Sequence, residues 1–231
     1  MRETPIQAPQ SSIVQVTSTF PRAEDLYPES DGRPMAETDL HQEWMWKLKQ
    51  IFKYRYRDQN VYVASDLLVY YEENVPARFV VPDVFVVLNC DPSMRRVYKM
   101  WSDGGPPTCV IEVTSQSTRR EDELLKPTTY RNIGVKEYIL YDPTADYLDP
   151  SLQGHRLDSD GLYEPIPLEN GSLICDSLGL RLTLDDRDLV ITDLETGEIQ
   201  MMREDAEANL RQKAEDRIRE LEAELQRLRR D

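Results

Sequence analysis

Apolar residues are concentrated in short runs in the middle of the chain, with longer polar and charged stretches on either side. Runs rich in β-branched and aromatic residues predict strands, because such side chains suit a pleated, half-buried surface. The predicted strands cover residues 61–64, 67–71, 78–88, 108–114 and 136–142. Pro82 interrupts the third run, and a proline has no backbone donor, so this strand is expected to bulge or to start afresh there.

A helix is predicted before the first strand, from Met35 to about Lys53. Its apolar residues recur at helical spacing, and they are Leu40, Trp44, Leu48, Ile51 and Phe52. Asp39 followed by Gln42 is typical of a capping box. This helix is expected to lay an aromatic-rich face on the sheet. His41 lies near its start, where both a surface or capping position and the rim of a site are open interpretations.

A second helix is predicted from Arg119 to about Asn132, with Thr118 and Glu121 as a capping box and Gly134 as the left-handed residue that ends it. On a straight helix Asp122, Lys126 and Tyr130 share one face. Pro127 is expected to kink or restart the helix and to push Lys126 out of ideal helical geometry.

The two ends of the chain differ from the middle. Residues 1–34 lack a periodic apolar pattern and are predicted to be an extended or disordered lead-in. After about residue 145, short apolar runs predict a β-rich extension of the main domain, which as a whole covers residues 35–195. The predicted strands of this extension cover residues 155–157, 162–166, 178–184 and 189–192.

Residues 200–231 predict a charged helix with a short apolar seam. The seam residues follow a 4-4-3-4-3 spacing, and they are Leu210, Ala214, Ile218, Leu221, Leu225 and Leu228. Such a polar helix is marginal alone. Three outcomes stay open, namely a coiled coil that makes a homodimer, docking back onto the domain, and a frayed helix.

Charge and cysteine content narrow the class of protein. The 231 residues carry a net charge of −15, which opposes loose binding to nucleic acid but does not exclude a nuclease with an acidic metal site. The three cysteines are far apart without a CxxC pair, so zinc and a disulfide framework are not expected. No secretory leader and no membrane-spanning run is visible, and a cytoplasmic location is expected.

Two carboxylates stand inside apolar strands. Asp83 follows Pro82 at the head of one run, and Glu112 is flanked by Ile111 and Val113. A buried ionised carboxylate costs several kcal/mol unless it is paired or binds a metal, so the pair predicts a site for Mg²⁺ or Mn²⁺. The break at Pro82 is expected to let Asp83 turn into a cleft. With a nearby lysine, such a site would suffice for phosphodiester hydrolysis.

Each of the three residues of this predicted site also has a simpler interpretation. Asp83 would also serve as a turn residue, Glu112 as a partnered structural acid, and Lys126 as an ordinary solvated lysine. Other chemistries have little support, because the chain has no G-x-S-x-G, no glycine-rich phosphate loop and no HExxH.

The segments PMAETDLH, VYVASDLLVYYE, VPDVFVV, CVIEVTSQST and GVKEYILYDP, with Asp122, Lys126 and Tyr130 between the last two, resemble a known family. It is the Uma-type family of restriction-endonuclease-like proteins, within the PD-(D/E)XK nuclease superfamily. The resemblance runs from about Met35 to Leu184.

The resemblance implies an α/β fold with a restriction-endonuclease-like core, in which helices flank a central mixed sheet. It implies that Asp83 and Glu112 are metal ligands. In the superfamily pattern a lysine stands two residues after the glutamate, but here that position is Thr114. The resemblance therefore implies that Lys126, on the following helix, is the catalytic lysine. Asp122, Tyr130 and His41 would support these residues.

The function expected on this basis is that of a metal-dependent endodeoxyribonuclease acting on DNA, with one site per strand if the chain dimerises. The alternative is a catalytically inactive nuclease-fold module that acts in binding or assembly through its C-terminal helix.

Overall fold

The structure, a computed structural model, describes residues 27, 28, 30, 38–115 and 118–229. Its α-helices are α1 (Asp39–Arg55), α2 (Met100–Asp103), α3 (Lys126–Ile133) and α4 (Arg203–Leu228). Its strands are β1 (Val61–Ser65), β2 (Val69–Tyr70), β3 (Phe79–Val80), β4 (Val84–Leu88), β5 (Tyr98–Lys99), β6 (Cys109–Val113), β7 (Glu137–Tyr141), β8 (Leu152–Leu157), β9 (Tyr163–Pro165), β10 (Ser172–Cys175), β11 (Leu180–Asp185) and β12 (Asp188–Asp193).

The centre of the fold is a six-stranded mixed sheet with the order β1-β4-β6-β7-β8-β9. Within it β6 and β7 run parallel, whereas the other neighbouring strands are antiparallel. A parallel pair needs a crossover connection, usually a helix, and the segment that contains α3 provides it. The predicted α/β class with a central mixed sheet is confirmed.

Helix α1 covers one face of this sheet. Trp44, Leu48 and Phe52 are buried against it, and the rings of Trp44 and Tyr141 meet edge to face at 5.0 Å. The N-cap is Thr38, whose hydroxyl accepts a hydrogen bond from the His41 backbone N–H at 3.3 Å. The capping box predicted at Asp39 and Gln42 is therefore wrong, because the N-cap is Thr38 and the residue three positions later is His41. Leu40, predicted on the apolar face, is 38% exposed, while His41 is buried.

Helix α3 covers the opposite face, where Tyr130 packs with Tyr138 and Leu140 of β7. A π-helical turn, Glu121–Leu125, comes directly before α3. In this turn the Lys126 N–H donates to the Glu121 carbonyl, five residues back, because Pro127 has no N–H and its ring crowds the preceding turn. The helix restarts as predicted.

The prediction that Pro127 distorts Lys126 is wrong. Lys126 has regular helical angles, φ −58° and ψ −43°. The wide turn absorbs the irregularity one residue earlier, at Leu125, where φ is −97°. Gly134 ends α3 in the left-handed conformation with φ 86°, as predicted.

The strand interrupted by Pro82 is divided between two sheets. β3 lies in a small sheet with β2 and β5, whereas β4 lies in the central sheet. The chain therefore changes sheets at Pro82 and Asp83, which places the Asp83 backbone at the end of a ladder.

The C-terminal extension is also divided. β8 and β9 complete the central sheet, and β10, β11 and β12 form a second antiparallel sheet. Apolar side chains of the second sheet, among them Leu173, Leu180 and Ile191, join the core beneath α1. β10 was not predicted from the sequence.

Most of the predicted lead-in lies outside the described residues. Tyr27, which is described, is buried, and its ring meets that of Tyr70 at 4.9 Å. The Tyr70 hydroxyl donates to the Pro28 carbonyl at 2.6 Å. No described helix is both long and apolar enough to cross a membrane.

Candidate metal-dependent active site

The candidate site forms where β4 begins, beside the end of the antiparallel strand β6. Val84 pairs with Ile111 in the antiparallel ladder, and continuing this register by one residue places Asp83 opposite Glu112. The Asp83 backbone N–H donates to Glu112 Oε2 at 3.2 Å. The two acids predicted from separate strands are thus direct neighbours.

Asp83 is held by groups from two other elements. Its Oδ2 accepts the Val113 backbone N–H at 2.7 Å and lies 2.9 Å from His41 Nε2. Burial alone would raise the pKa of Asp83, but His41, Lys126 and the Val113 N–H lower it. Asp83 is only 6% exposed, so its carboxylate faces these partners and not an open cleft, contrary to the sequence prediction.

Glu112 is completely buried and has a partner on each oxygen. The Tyr130 hydroxyl donates to Oε1 at 2.6 Å, and Lys126 Nζ donates to Oε2 at 2.8 Å. Burial raises the pKa of Glu112 well above its ordinary value, and the neighbouring carboxylates of Asp83 and Asp122 add to that effect against the opposing charge of Lys126.

Lys126 bridges two buried acids. Its Nζ lies 2.9 Å from Asp122 Oδ1 as well as 2.8 Å from Glu112. Although burial alone would lower the pKa of Lys126, Glu112, Asp122 and Asp83 raise it above its ordinary value. Asp122 and Lys126 are four residues apart, a spacing at which side chains on one face of a helix can meet.

The charge of this cluster is unbalanced. When Asp83, Glu112 and Asp122 are all ionised and His41 is neutral, the single ammonium of Lys126 leaves two negative charges uncompensated. Uncompensated charge is costly in a buried place. The Thr114 hydroxyl, on the same face of β6 as Glu112, is also buried and has no hydrogen-bond partner among the described residues.

The donor types fit a hard divalent cation, since Asp83 and Glu112 are neighbouring carboxylate residues and Mg²⁺ usually takes one or two carboxylates plus waters. A complete protein cage is not present, because no group of three or more His, Cys, Asp or Glu side chains among the described residues is arranged to hold a metal ion.

All six residues singled out from the sequence meet in one connected cluster, namely His41, Asp83, Glu112, Asp122, Lys126 and Tyr130. Two contributors were missed. The Val113 N–H holds Asp83, and the Tyr138 hydroxyl donates to the Asp122 carbonyl at 2.7 Å, which anchors the π-helical turn. No sequence pattern identifies a backbone donor such as the Val113 N–H. Tyr138, however, lies in an apolar strand, and a buried tyrosine hydroxyl usually has a hydrogen-bond partner, so the sequence did indicate this contributor.

The protein is an α/β domain with a central mixed sheet and a buried cluster of acids around one lysine. The Uma2 family, described as "Putative restriction endonuclease", matches residues 26–185. Because this match spans more than half of the chain, the protein belongs to the Uma2 family. The match begins earlier than Met35, and it includes the docked Tyr27.

One similar solved structure is a crystal structure described as "a putative nuclease belonging to DUF820" from Anabaena variabilis. It is 13% identical, the alignment covers 63% of this chain and 78% of that chain, and the TM-score is 0.45. No curated protein matches this chain.

Proposed function

We propose that this protein is a metal-dependent endodeoxyribonuclease that hydrolyses phosphodiester bonds. The proposal rests on the position of Asp83 and Glu112 at the ends of two central strands. There the Asp83 backbone N–H and the Lys126 ammonium both donate to the Glu112 carboxylate. The family description supports DNA as the substrate.

In this proposal Asp83 and Glu112 would hold Mg²⁺ or Mn²⁺, which when bound activates water and stabilises charge on a phosphoryl oxygen. His41 and the Val113 N–H orient the Asp83 carboxylate, and Tyr130 orients that of Glu112. Lys126 supplies the positive charge that stabilises the transition state or positions the attacking water. Asp122 keeps the Lys126 ammonium beside the site.

The test is a cleavage assay on supercoiled and linear DNA with Mg²⁺ or Mn²⁺, with an RNA substrate in parallel. We expect wild-type protein to nick or linearise DNA and Glu112→Ala to be inactive. Glu164→Ala is the matched control, because Glu164 is exposed on β9 outside the cluster. Equal cleavage by wild type and Glu112→Ala would assign the activity to a contaminant, and cleavage of RNA alone would overturn the DNA assignment.

A second candidate is a catalytically inactive nuclease-fold module that acts in binding or assembly. It is favoured by Thr114 at the usual lysine position and by the C-terminal helix α4, which has no buried residue. Calorimetric titration of Mn²⁺ separates the two candidates. Binding that is lost in Asp83→Ala supports the nuclease, whereas absence of binding in both proteins supports the inactive module.

A further inference from the structure

Helix α4 leaves the domain with its apolar seam uncovered. None of its 26 residues is buried, and the large seam residues Leu210, Ile218, Leu221, Leu225 and Leu228 are 43–67% exposed. Contact with the domain is confined to the start of α4, where Arg203 and Glu207 border a surface cavity with Lys53 and Tyr54 of α1. The structure therefore does not show the second outcome considered from the sequence, in which the helix docks back along the domain.

A helix of this composition needs a partner for its seam. Isolated polar helices are marginal in water, and most helical stability in proteins comes from packing of the apolar face. At about 1.5 Å per residue α4 is roughly 39 Å long, and its seam faces solvent over most of that length. The structure thus presents an unpaired surface whose partner must offer a complementary apolar stripe.

The seam itself specifies a two-stranded pairing. From Ile218 onward the spacing is 3-4-3, which places Ile218 and Leu225 at heptad position a and Leu221 and Leu228 at position d. A β-branched residue at a with leucine at d, as at Ile218 and Leu221, favours parallel dimers, whereas the second a position is Leu225. Upstream of Ile218 the seam continues with two successive four-residue steps, to Ala214 and then to Leu210. Two such steps in a row depart from the heptad repeat and locally unwind a coiled coil.

The charges that flank the seam fit a second copy of the same helix. Arg217 and Glu224 occupy g positions, and Glu222 and Arg229 occupy e positions. In a parallel, in-register pair, each g residue faces the e residue five positions later in the partner. Arg217 then faces Glu222 of the partner subunit, and Glu224 faces Arg229 of the partner subunit, so both contacts join opposite charges.

The same charges disfavour a slipped register. A shift of one heptad brings Arg217 opposite Arg229 of the partner subunit, and this like-charge contact is repulsive. We propose that α4 pairs in parallel and in register with α4 of a second copy of this chain. The pairing stands independently of the proposed nuclease function. If that function holds, a parallel pair places both active domains at the same end of the coiled coil, where two sites can serve the two strands of a duplex.

Analytical ultracentrifugation of the full chain, without metal or DNA and across a range of micromolar concentrations, tests the pairing. We expect a reversible monomer–dimer equilibrium. Leu221→Glu should weaken it by about 10-fold or more, the change that corresponds to about 1.4 kcal/mol. Ala223→Glu adds the same charge on the opposite face of α4 and should leave the equilibrium unchanged. Circular dichroism checks that both variants keep the folded domain.

A charge exchange tests the orientation. Arg217→Glu should weaken the dimer, because it places two glutamates at the g–e contact, and adding Glu222→Arg in the same chain should restore it. A monomeric wild type, or a dimer that Leu221→Glu leaves intact, would overturn the pairing. A dimer that Leu221→Glu disrupts but the double exchange does not restore would overturn the parallel register. Either result leaves the nuclease assay unaffected.

Discussion

Glu112 on β6 and Glu137 on the neighbouring strand β7 are both almost completely buried, yet their surroundings are opposite. Glu137 accepts hydrogen bonds from Arg156 Nε at 2.9 Å, the Asp176 N–H at 3.0 Å and the Ser177 N–H at 2.9 Å. The Ser177 hydroxyl and the Cys175 thiol also donate to it. Burial alone would raise the pKa of Glu137, but these donors lower it below its ordinary value.

Glu112 has fewer donors and two acidic neighbours, and its pKa is raised. Burial therefore does not by itself distinguish the proposed metal-binding acid from a structural one. The distinction lies in whether the folded chain supplies enough donors to stabilise the ionised form. At Glu137 it does, which makes Glu137 a structural link between the central and second sheets. At Glu112 it does not, and a bound metal ion would stabilise the ionised carboxylate there.

The largest expected difference is in catalysis. Glu112→Gln should reduce metal-dependent DNA cleavage by more than about 100-fold, since even outer partners of metal ligands cost 10- to 100-fold. Glu137→Gln should retain cleavage per folded molecule at a temperature where it stays folded. Initial cleavage rates with Mn²⁺ measure both. Equal losses in the two variants would remove the functional distinction between the glutamates.

The next largest effect is on the free energy of unfolding. Here Glu137→Gln should cost more than Glu112→Gln, the reverse of the order expected for cleavage. Glu137→Gln should lower the free energy of unfolding by about 2–3 kcal/mol, because an amide cannot accept all the donors that the carboxylate satisfies. Glu112→Gln should change it by less than about 1 kcal/mol in metal-free protein, because Lys126 keeps Asp122 as a partner and one crowded charge is lost. Urea denaturation followed by fluorescence measures both. A greater loss in Glu112→Gln would show that Glu112 is the structural acid.

A smaller effect is expected at Tyr130. Tyr130→Phe removes the only side-chain donor that the described residues supply to Glu112 Oε1, and it should lower metal affinity and cleavage by about 10-fold. Tyr163→Phe is the matched control, since its hydroxyl donates to the Val135 carbonyl outside the cluster. Mn²⁺ titration by calorimetry gives the affinities. Unchanged Mn²⁺ affinity in Tyr130→Phe would show that Tyr130 does not orient the ligand.

The smallest effect is the pH dependence of stability, at most about 1.4 kcal/mol per pH unit for one proton. The pKa of Glu112 is higher in the folded chain than its ordinary 4.5, so the metal-free protein should lose stability as pH rises above 4.5 through the folded pKa. The pKa of Glu137 is lower than 4.5 in the folded chain, so its contribution should be present above pH 4.5 and be lost as pH falls below it.

Urea denaturation at a series of pH values, with the Gln variant of each glutamate as reference, measures the two slopes. Slopes of the same sign for Glu112 and Glu137 would contradict the assignment. Mn²⁺ should stabilise the wild type more at higher pH, because binding competes with the Glu112 proton.

Sequence reasoning found Glu112 and missed Glu137, and the reason is local. Glu112 is flanked on both sides by apolar residues within its strand, which signals burial without further information. Glu137 follows Lys136 at the start of β7 and resembles an exposed strand end. It is buried by residues 175–177, about 40 positions later in the chain, which no local pattern connects to it. The missed strand β10 belongs to the same region.

Local chemistry in the sequence determined most of the strands and helices to within a few residues, the break at Pro82, the end of α3 at Gly134 and the two candidate ligands, because apolar periodicity, proline and glycine act on their own neighbours. Only the tertiary structure decided the register that places Asp83 opposite Glu112, the π-helical turn before a regular Lys126, and the burial of His41. These features depend on pairing and packing between segments distant in sequence, and the free energies that select them arise only when those segments meet.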